Sequence, residues 1–169
     1  VFSPEESIEI LEAGRRLGLM PRVHADELAP GHGASVAARV GARSADHLVH
    51  VDEHGADALA DAGVCATLLP TAAFYLKLTR YAPARMLIDR GVAVALGTDI
   101  NPGAGFSSSM PFAMTLACFA MQMTLEEALV AARLNAAWSV NRAGDAGSLE
   151  PGKLMDAVVL KGNLTELIR

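Results

Sequence analysis

The sequence of 169 residues has few aromatic side chains and no run of basic residues. Aromatic residues make up 5% of the chain, and 14 Lys and Arg stand against 19 Asp and Glu, for a formal net charge of −5. A nucleic-acid surface needs a basic stripe or aromatic rings on which bases stack, so the composition argues against nucleic acid as a partner. The apolar runs also stop well short of the roughly 20 residues that span a bilayer, which argues against a membrane.

Cysteine is scarce as well. The two cysteines, Cys65 and Cys118, each lie among apolar residues. We expect both to be small buried side chains in a reducing compartment, and a disulfide between them is the alternative.

Because hydrophobic residues make up 51% and charged residues 20%, the composition predicts one soluble, acidic, folded domain, and we expect a cytoplasmic protein.

Apolar strand-like runs alternate with helix-like segments along most of the chain. The predicted strands are 19–24, 47–51, 64–69 and 92–98, and the predicted helices between them are 33–40, 56–62 and 83–90. A first helix is predicted to begin at Ser3-Pro4-Glu5-Glu6, which has the pattern of a capping box. A last helical region, 110–140, is divided by a second capping-box-like start at Thr124-Leu125-Glu126-Glu127. Strands that are apolar on both faces and are separated by helices indicate a parallel sheet between helical layers.

Two α/β architectures suit this alternation: a small doubly wound sheet, or half of a (β/α)8 barrel. A complete barrel needs about 250 residues and does not fit. No Gly-x-Gly-x-x-Gly follows a predicted strand, which weakens the dinucleotide-binding version of the first. The sequence opens without Met and directly in a helix, so we expect a piece of a larger protein. Its tail has a turn-rich segment, 147–153, and a β-like run, 157–160, which predict a small β appendage.

Polar residues collect where the predicted strands end. His24 closes the first strand, His47 belongs to the second, and Asp99 follows the fourth. In both architectures ligands bind at the carboxyl ends of parallel strands, and imidazole with carboxylate is a suitable ligand set for Zn or Fe. The alternative is that each histidine makes an ordinary structural hydrogen bond and that Asp99 only starts a turn before Asn101-Pro102-Gly103.

Taken together, the motifs resemble those of the amidohydrolase superfamily of metal-dependent (β/α)8-barrel hydrolases, and within it the imidazolonepropionase family. The resemblance covers essentially the whole chain. The segments that carry it are His24-Ala25-Asp26-Glu27, Ser44-Ala45-Asp46-His47-Leu48, Ala66-Thr67-Leu68-Leu69-Pro70, Tyr81-Ala82-Pro83-Ala84-Arg85, Gly97-Thr98-Asp99-Ile100-Asn101-Pro102-Gly103 and Gly147-Ser148-Leu149-Glu150-Pro151-Gly152-Lys153.

For the fold, the resemblance implies the C-terminal half of such a barrel, strands five to eight, over residues 1–145. Residues 146–169 would then belong to a small flanking β-sandwich domain. The superfamily's His-x-His metal ligands and further substrate-binding residues belong to the N-terminal half and are absent from this sequence. We therefore expect this chain alone to be inactive, and the full-length protein to be a homodimer.

For the chemistry, the resemblance implies one Zn or Fe ion per active site, with His24 and Asp99 as metal ligands. Asp99 resembles the carboxylate that takes a proton from the attacking water. His47 resembles the histidine that assists the substrate carbonyl, and Glu27 resembles the acid that holds the ring nitrogen. Each role is carried over from the family motif onto the matching residue.

The implied substrate is a small molecule, 4-imidazolone-5-propanoate, whose cyclic amide is hydrolysed to N-formimidoyl-L-glutamate in histidine degradation. Asn101, Gly103 and Ala104 fall where the family's loop contacts the propionate end, and Glu27 and His47 contact the ring. One alternative is another cyclic amidohydrolase or a deaminase with the same metal site. A second, of a different class, is a non-catalytic α/β binding module, which requires that His24 and Asp99 lie far apart or that the intact protein carries no metal.

Overall fold

The computed structural model describes residues 2–163 and residue 165. Its centre is a parallel sheet of four strands in the order β1-β2-β3-β4. The strands are β1 (Arg22–Ala25), β2 (Ser44–His47), β3 (Cys65–Leu68) and β4 (Val94–Leu96). Neighbours in the chain are neighbours in the sheet, so the predicted parallel α/β alternation is confirmed.

Helices precede, connect and follow the strands. Their bounds are α1 (Pro4–Arg16), α2 (Gly33–Arg39), α3 (Glu53–Ala62), α4 (Pro70–Tyr75), α5 (Ala84–Asp89), α6 (Met110–Ala120), α7 (Leu125–Val130), a π-helical turn (Ala131–Asn135) and α8 (Ala136–Ser139). Both predicted capping boxes are present, with Ser3 and Glu6 at the start of α1 and Thr124 and Glu127 at the start of α7. Helix α4, which begins at Pro70 soon after β3, was not predicted from the sequence.

The second strand lies earlier in the chain than predicted. It covers Ser44–His47 rather than 47–51, because His47 and Leu48 both have a left-handed backbone, with φ of 74° and 58°, which ends the strand. The apolar run after His47 is nevertheless buried, with Leu48 at 0% exposure, so its hydrophobicity reports a packed loop rather than a strand. His47 consequently lies at the carboxyl end of β2, not at its start.

The two faces of the sheet have different neighbours. Ala25, Ala45 and Leu68 belong to the buried core, which they form with residues of the surrounding helices such as Leu59 and Leu87. Side chains alternate between faces along a strand, so the next row, His24, Asp46 and Thr67 in parallel register, points to the opposite face. One face thus supplies packing, and the other carries polar groups.

The tail does not form the predicted strand. Residues 157–160 have no strand, and Val158 and Val159 are 84% and 97% exposed. The prediction is wrong for this chain because no neighbouring strand in the described part lies beside that run to pair with its backbone. The proposed division at residues 145 and 146 stays a prediction, and its last residues, 164 and 166–169, lie outside those described.

Two expectations drawn from the composition concern the cysteines and membrane-spanning segments. Cys65 and Cys118 are both free; Cys65 is buried as expected, whereas Cys118 is only half-buried. Burial raises the pKa of the Cys65 thiol to about 11, which keeps it protonated and unreactive. Over the part of the chain that the structure describes, no helix has the length and apolar character needed to cross a bilayer.

Candidate active site

Three of the four strands are closed by a residue with a left-handed backbone, or are followed by one within three residues of their end. Asp26 follows β1 with φ of 50°, His47 closes β2 with φ of 74°, and Asp99 follows β4 with φ of 49°. Such conformations are uncommon for residues other than glycine, and they cluster at functional sites where the surrounding contacts hold them. Here they turn the chain sharply at the carboxyl edge of the sheet, where the predicted site residues lie.

A cavity of about 390 Å³ opens at this edge. All the site residues predicted from the sequence line it, together with Leu28 and Leu76: they are His24, Glu27, His47, Asp99, Asn101, Gly103 and Ala104. Residues up to 80 positions apart in the sequence are thus brought to one concave surface by three strand-end loops. The roles assigned to them remain proposals.

The His47 side chain lies between those of His24 and Glu27. Its Nε2 atom lies 2.9 Å from Nδ1 of His24, and its Nδ1 atom lies 3.5 Å from Oε1 of Glu27. The His47 side chain is only 4% exposed, whereas that of Glu27 is 27% exposed. Burial lowers the pKa of His47, an effect that the Glu27 carboxylate partly offsets, and this favours the neutral imidazole.

Asp99 is held by the loop that follows it. The Asn101 side-chain Nδ2 donates both to the Asp99 carbonyl, at 2.9 Å, and to Asp99 Oδ1, at 3.0 Å. The Asn101 Oδ1 atom accepts from the backbone N–H groups of Gly103 and Ala104 at 2.8 and 2.9 Å. On the other side, the buried Thr71 hydroxyl donates to the carbonyl of Thr98. The Oδ1 atom of the Asp99 carboxylate is therefore held in place by the Asn101 side chain of the same loop.

The donor set suits a metal ion but does not complete its coordination. Within the described residues no group of three His, Cys, Asp or Glu side chains is close enough together to hold a metal. His24 uses Nδ1 toward His47, which leaves Nε2 as its other donor atom, and Asp99 has Oδ2 besides the oxygen held by Asn101. One imidazole nitrogen and one carboxylate oxygen fit Zn or Fe as two of its ligands.

Four residues that shape the site had no role in the sequence analysis. Leu28 and Leu76 line the cavity, Asp26 organises the first loop, and Thr71 holds the carbonyl next to Asp99. Asp26 belongs to the His24-Ala25-Asp26-Glu27 motif, but it lies seven residues before α2, too far for an N-cap pattern, so no local signal gave its role. The other three depend on contacts between segments that are distant in sequence.

Comparison with known proteins identifies the family. The model of the amidohydrolase family matches residues 3–168. The chain belongs to the amidohydrolase family. This amidohydrolase is 52% identical over 159 residues to the imidazolonepropionase of Geobacillus kaustophilus (strain HTA426), covering 94% of this chain and 37% of that protein. It is 53% identical over 160 residues to the imidazolonepropionase of Bacteroides fragilis (strain YCH46), covering 95% and 38%.

Solved structures agree with the fold. An adenosine deaminase from Xanthomonas campestris with bound zinc matches at a TM-score of 0.79 and 20% identity, over 99% of this chain and 45% of that one. Escherichia coli guanine deaminase matches at a TM-score of 0.71 and 24% identity, over 90% and 40%. The parallel α/β sheet of this amidohydrolase is thus a portion of the barrel fold that these enzymes share.

Proposed function

We propose that this chain is part of an imidazolonepropionase, a metal-dependent hydrolase that opens the cyclic amide of 4-imidazolone-5-propanoate. The observation that carries the proposal is the single cavity lined by His24, Glu27, His47, Asp99 and the 101–104 loop. The 52% identity to a curated imidazolonepropionase supports the choice of substrate. The chain spans 37% of that relative's length, so the remaining ligands and substrate contacts belong to the rest of the whole protein.

His24 and Asp99 are the proposed ligands for one Zn or Fe ion. When bound, the metal supplies Lewis acidity, which polarises a carbonyl group and makes hydroxide available near neutral pH. The choice between Zn and Fe is open, because imidazole and carboxylate donors accept either. The contact with His47 orients the His24 ring, and the Asn101 amide orients the Asp99 carboxylate, so both ligands are held by neighbouring side chains as metal ligands usually are.

Asp99 is the proposed acid–base group. It takes a proton from water as the oxygen adds to the amide carbonyl carbon, and it passes that proton to the ring nitrogen as the C–N bond breaks. One water molecule is consumed: one of its protons reaches the ring nitrogen, which becomes the free formimidoyl nitrogen, and the other is released to solvent as the new carboxylic acid ionises to a carboxylate. His47, in the tautomer that carries its proton on Nε2, donates a hydrogen bond from that atom to the carbonyl oxygen as negative charge develops there, and Nε2 then contacts the substrate in place of His24.

Substrate binding uses the two ends of the cavity. Glu27, 27% exposed and beside His47, accepts a hydrogen bond from a ring N–H of the substrate. The backbone N–H groups of Gly103 and Ala104 both point at Asn101 Oδ1, a pair of donors suited to a carboxylate. The propionate group would take the place of that amide oxygen.

The test is turnover by the whole protein on 4-imidazolone-5-propanoate, with guanine and adenosine as comparison substrates. We expect hydrolysis of 4-imidazolone-5-propanoate only.

Asp99→Asn keeps the shape of the side chain but removes the base, and should lower kcat by about 10²–10⁴-fold. His47→Ala should lower kcat by about 10²–10³-fold with little loss of metal, and Glu27→Gln should act mainly on KM. Asp145→Asn, an exposed carboxylate far from the cavity in sequence, is the matched control. Near-normal turnover by Asp99→Asn would refute the proton route, and turnover of guanine or adenosine alone would refute the substrate.

A further inference from the structure

Asp26 makes more hydrogen bonds to the backbone than any other side chain of the first loop. Its Oδ1 accepts from the N–H of Gly31 at 2.8 Å and of Gly33 at 3.2 Å, and its Oδ2 accepts from the N–H of Ala34 at 3.0 Å. Its own carbonyl accepts from the N–H of His50 at 2.8 Å. Asp26 is 8% exposed and has a left-handed backbone, so one buried residue ties the end of β1 to the start of α2 and to the loop after β2.

The hydrogen bonds of Asp26 close the loop of residues 27–32, and two residues of this loop, Glu27 and Leu28, line the cavity. Residues 27–32 form no helix or strand, and a loop of this length has no internal ladder of hydrogen bonds to hold a side chain in place. The two oxygens of Asp26 fix both ends of this loop, residue 26 at one end and residues 31–34 at the other. Glu27, directly next to Asp26, is therefore placed by the same contacts.

We propose that Asp26 is a positioning residue, which acts on the reaction by fixing Glu27 against His47 and the bound ring. This inference rests on the proposed function, since it takes Glu27 as the group that holds the substrate. A binding group displaced by about 1 Å can cost on the order of 10²-fold in rate. Loss of the three backbone contacts should therefore appear in catalysis as well as in stability.

A matched residue separates positioning from simple helix capping. Asp52 is the N-cap residue directly before α3, and its Oδ1 accepts from the N–H of Gly55 at 2.8 Å, so Asp52 bonds the first turn of α3 as Asp26 bonds the first turn of α2. Asp52 follows β2 but does not line the cavity. Asp52→Ala thus removes a cap on the neighbouring helix and leaves the first loop intact.

The experiment is a double-mutant cycle in the whole, metal-loaded protein. Asp26→Ala should lower kcat/KM by about 10²-fold, chiefly through KM, whereas Asp26→Asn, which keeps one acceptor oxygen, should lose less. In a Glu27→Gln background Asp26→Ala should cause little further loss, because the group it positions is already disabled. Asp52→Ala should combine with Glu27→Gln additively, within about twofold. An equal loss from Asp26→Ala in both backgrounds would overturn the proposal.

Hydrogen exchange supplies a readout that does not depend on turnover. Asp26→Ala should speed exchange of the Gly31, Gly33 and Ala34 amides, measured on peptides covering residues 27–34, while Asp52→Ala should leave those peptides unchanged. Unchanged exchange in Asp26→Ala overturns the proposal, as does faster exchange with unchanged kcat/KM. If Glu27→Gln itself leaves turnover unchanged, the substrate role of Glu27 fails and the proposal falls with it. If the wild type is inactive on 4-imidazolone-5-propanoate but the loop loosens as expected, the proposed function fails while the positioning of the loop stands.

Discussion

Gly33, the first residue of α2, lies against the strand that carries His24. A Cβ atom at this position would lie 2.7 Å from Cα and 2.8 Å from Cβ of Ala25. Ala25 is the last residue of β1, and its backbone carbonyl accepts from Leu48 N–H, so it has no freedom to move aside. The absence of a side chain at residue 33 lets the helix approach the strand end closely.

Gly33→Ala should therefore destabilise the whole protein by about 1–3 kcal/mol, the usual range for overpacking a tight contact. Gly144→Ala is the matched control, since nothing lies within 4 Å of the Cβ it would add. Its effect should stay within about 0.5 kcal/mol. Urea denaturation of both variants measures the difference, and equal stability of the two would show that the close approach of α2 to β1 is not required.

Some residues of the candidate site could be predicted from the sequence, and others could not. His24 and Asp99 could be predicted as site residues because each closes an apolar run, and polar groups at the ends of parallel strands meet at one edge. The backbone at His47 could not be predicted, because its left-handed conformation depends on contacts of the 48–51 loop with the core. Asp26 was read only as part of a motif, since the N–H groups it binds are five to eight residues away.

Helices were more predictable than strands. The capping boxes of α1 and α7 are local patterns of four residues, and both are formed as the sequence indicates. The strands have only three or four residues, so the apolar runs around them include buried loop residues as well as strand residues. The run after His47 and the exposed run at 157–160 were misassigned for this reason, since hydrophobicity alone does not say whether a partner strand is present.

Glu127, at the third position of α7, has two partners. Its carboxylate accepts from the N–H of Thr124 and forms a two-point contact with Arg85 of α5, with both N–O distances 3.0 Å. The hydrogen bonds from Arg85 are the main reason that the pKa of the Glu127 carboxyl lies below its ordinary value. The charged form is thus favoured in the folded protein.

A carboxyl with a lowered folded pKa stabilises the protein above its unfolded pKa and loses that contribution as the pH falls through the folded value. Glu127→Gln keeps a side chain that can complete the capping box but removes the charge. Its Tm should lie below the wild-type Tm at pH 7, and the gap should shrink as the pH falls below about 4.3. Asp61→Asn, an exposed position on α3, serves as the control. A gap that does not change with pH would contradict the charged contact with Arg85.

At the scale of the whole molecule, the sheet has one face packed against helices and one face that carries polar groups. β1 and β4 each pair with one neighbouring strand within the described residues, and the row that holds His24, Asp46 and Thr67 lies on the face away from the helical core. In the shared barrel fold such a face points to the interior, where further strands complete the ring. Under the proposed function, the polar groups of that face lie where the rest of the whole protein would complete the site.

Under the proposed function, His24 binds a metal on which turnover depends. The most direct measurement is the metal content and the hydrolysis of 4-imidazolone-5-propanoate by the whole protein, compared with His24→Ala and with His54→Ala, an exposed histidine on α3. We predict about one equivalent of Zn or Fe and full turnover in the wild type and His54→Ala, and loss of both in His24→Ala. Full metal content and full turnover in His24→Ala would contradict the account.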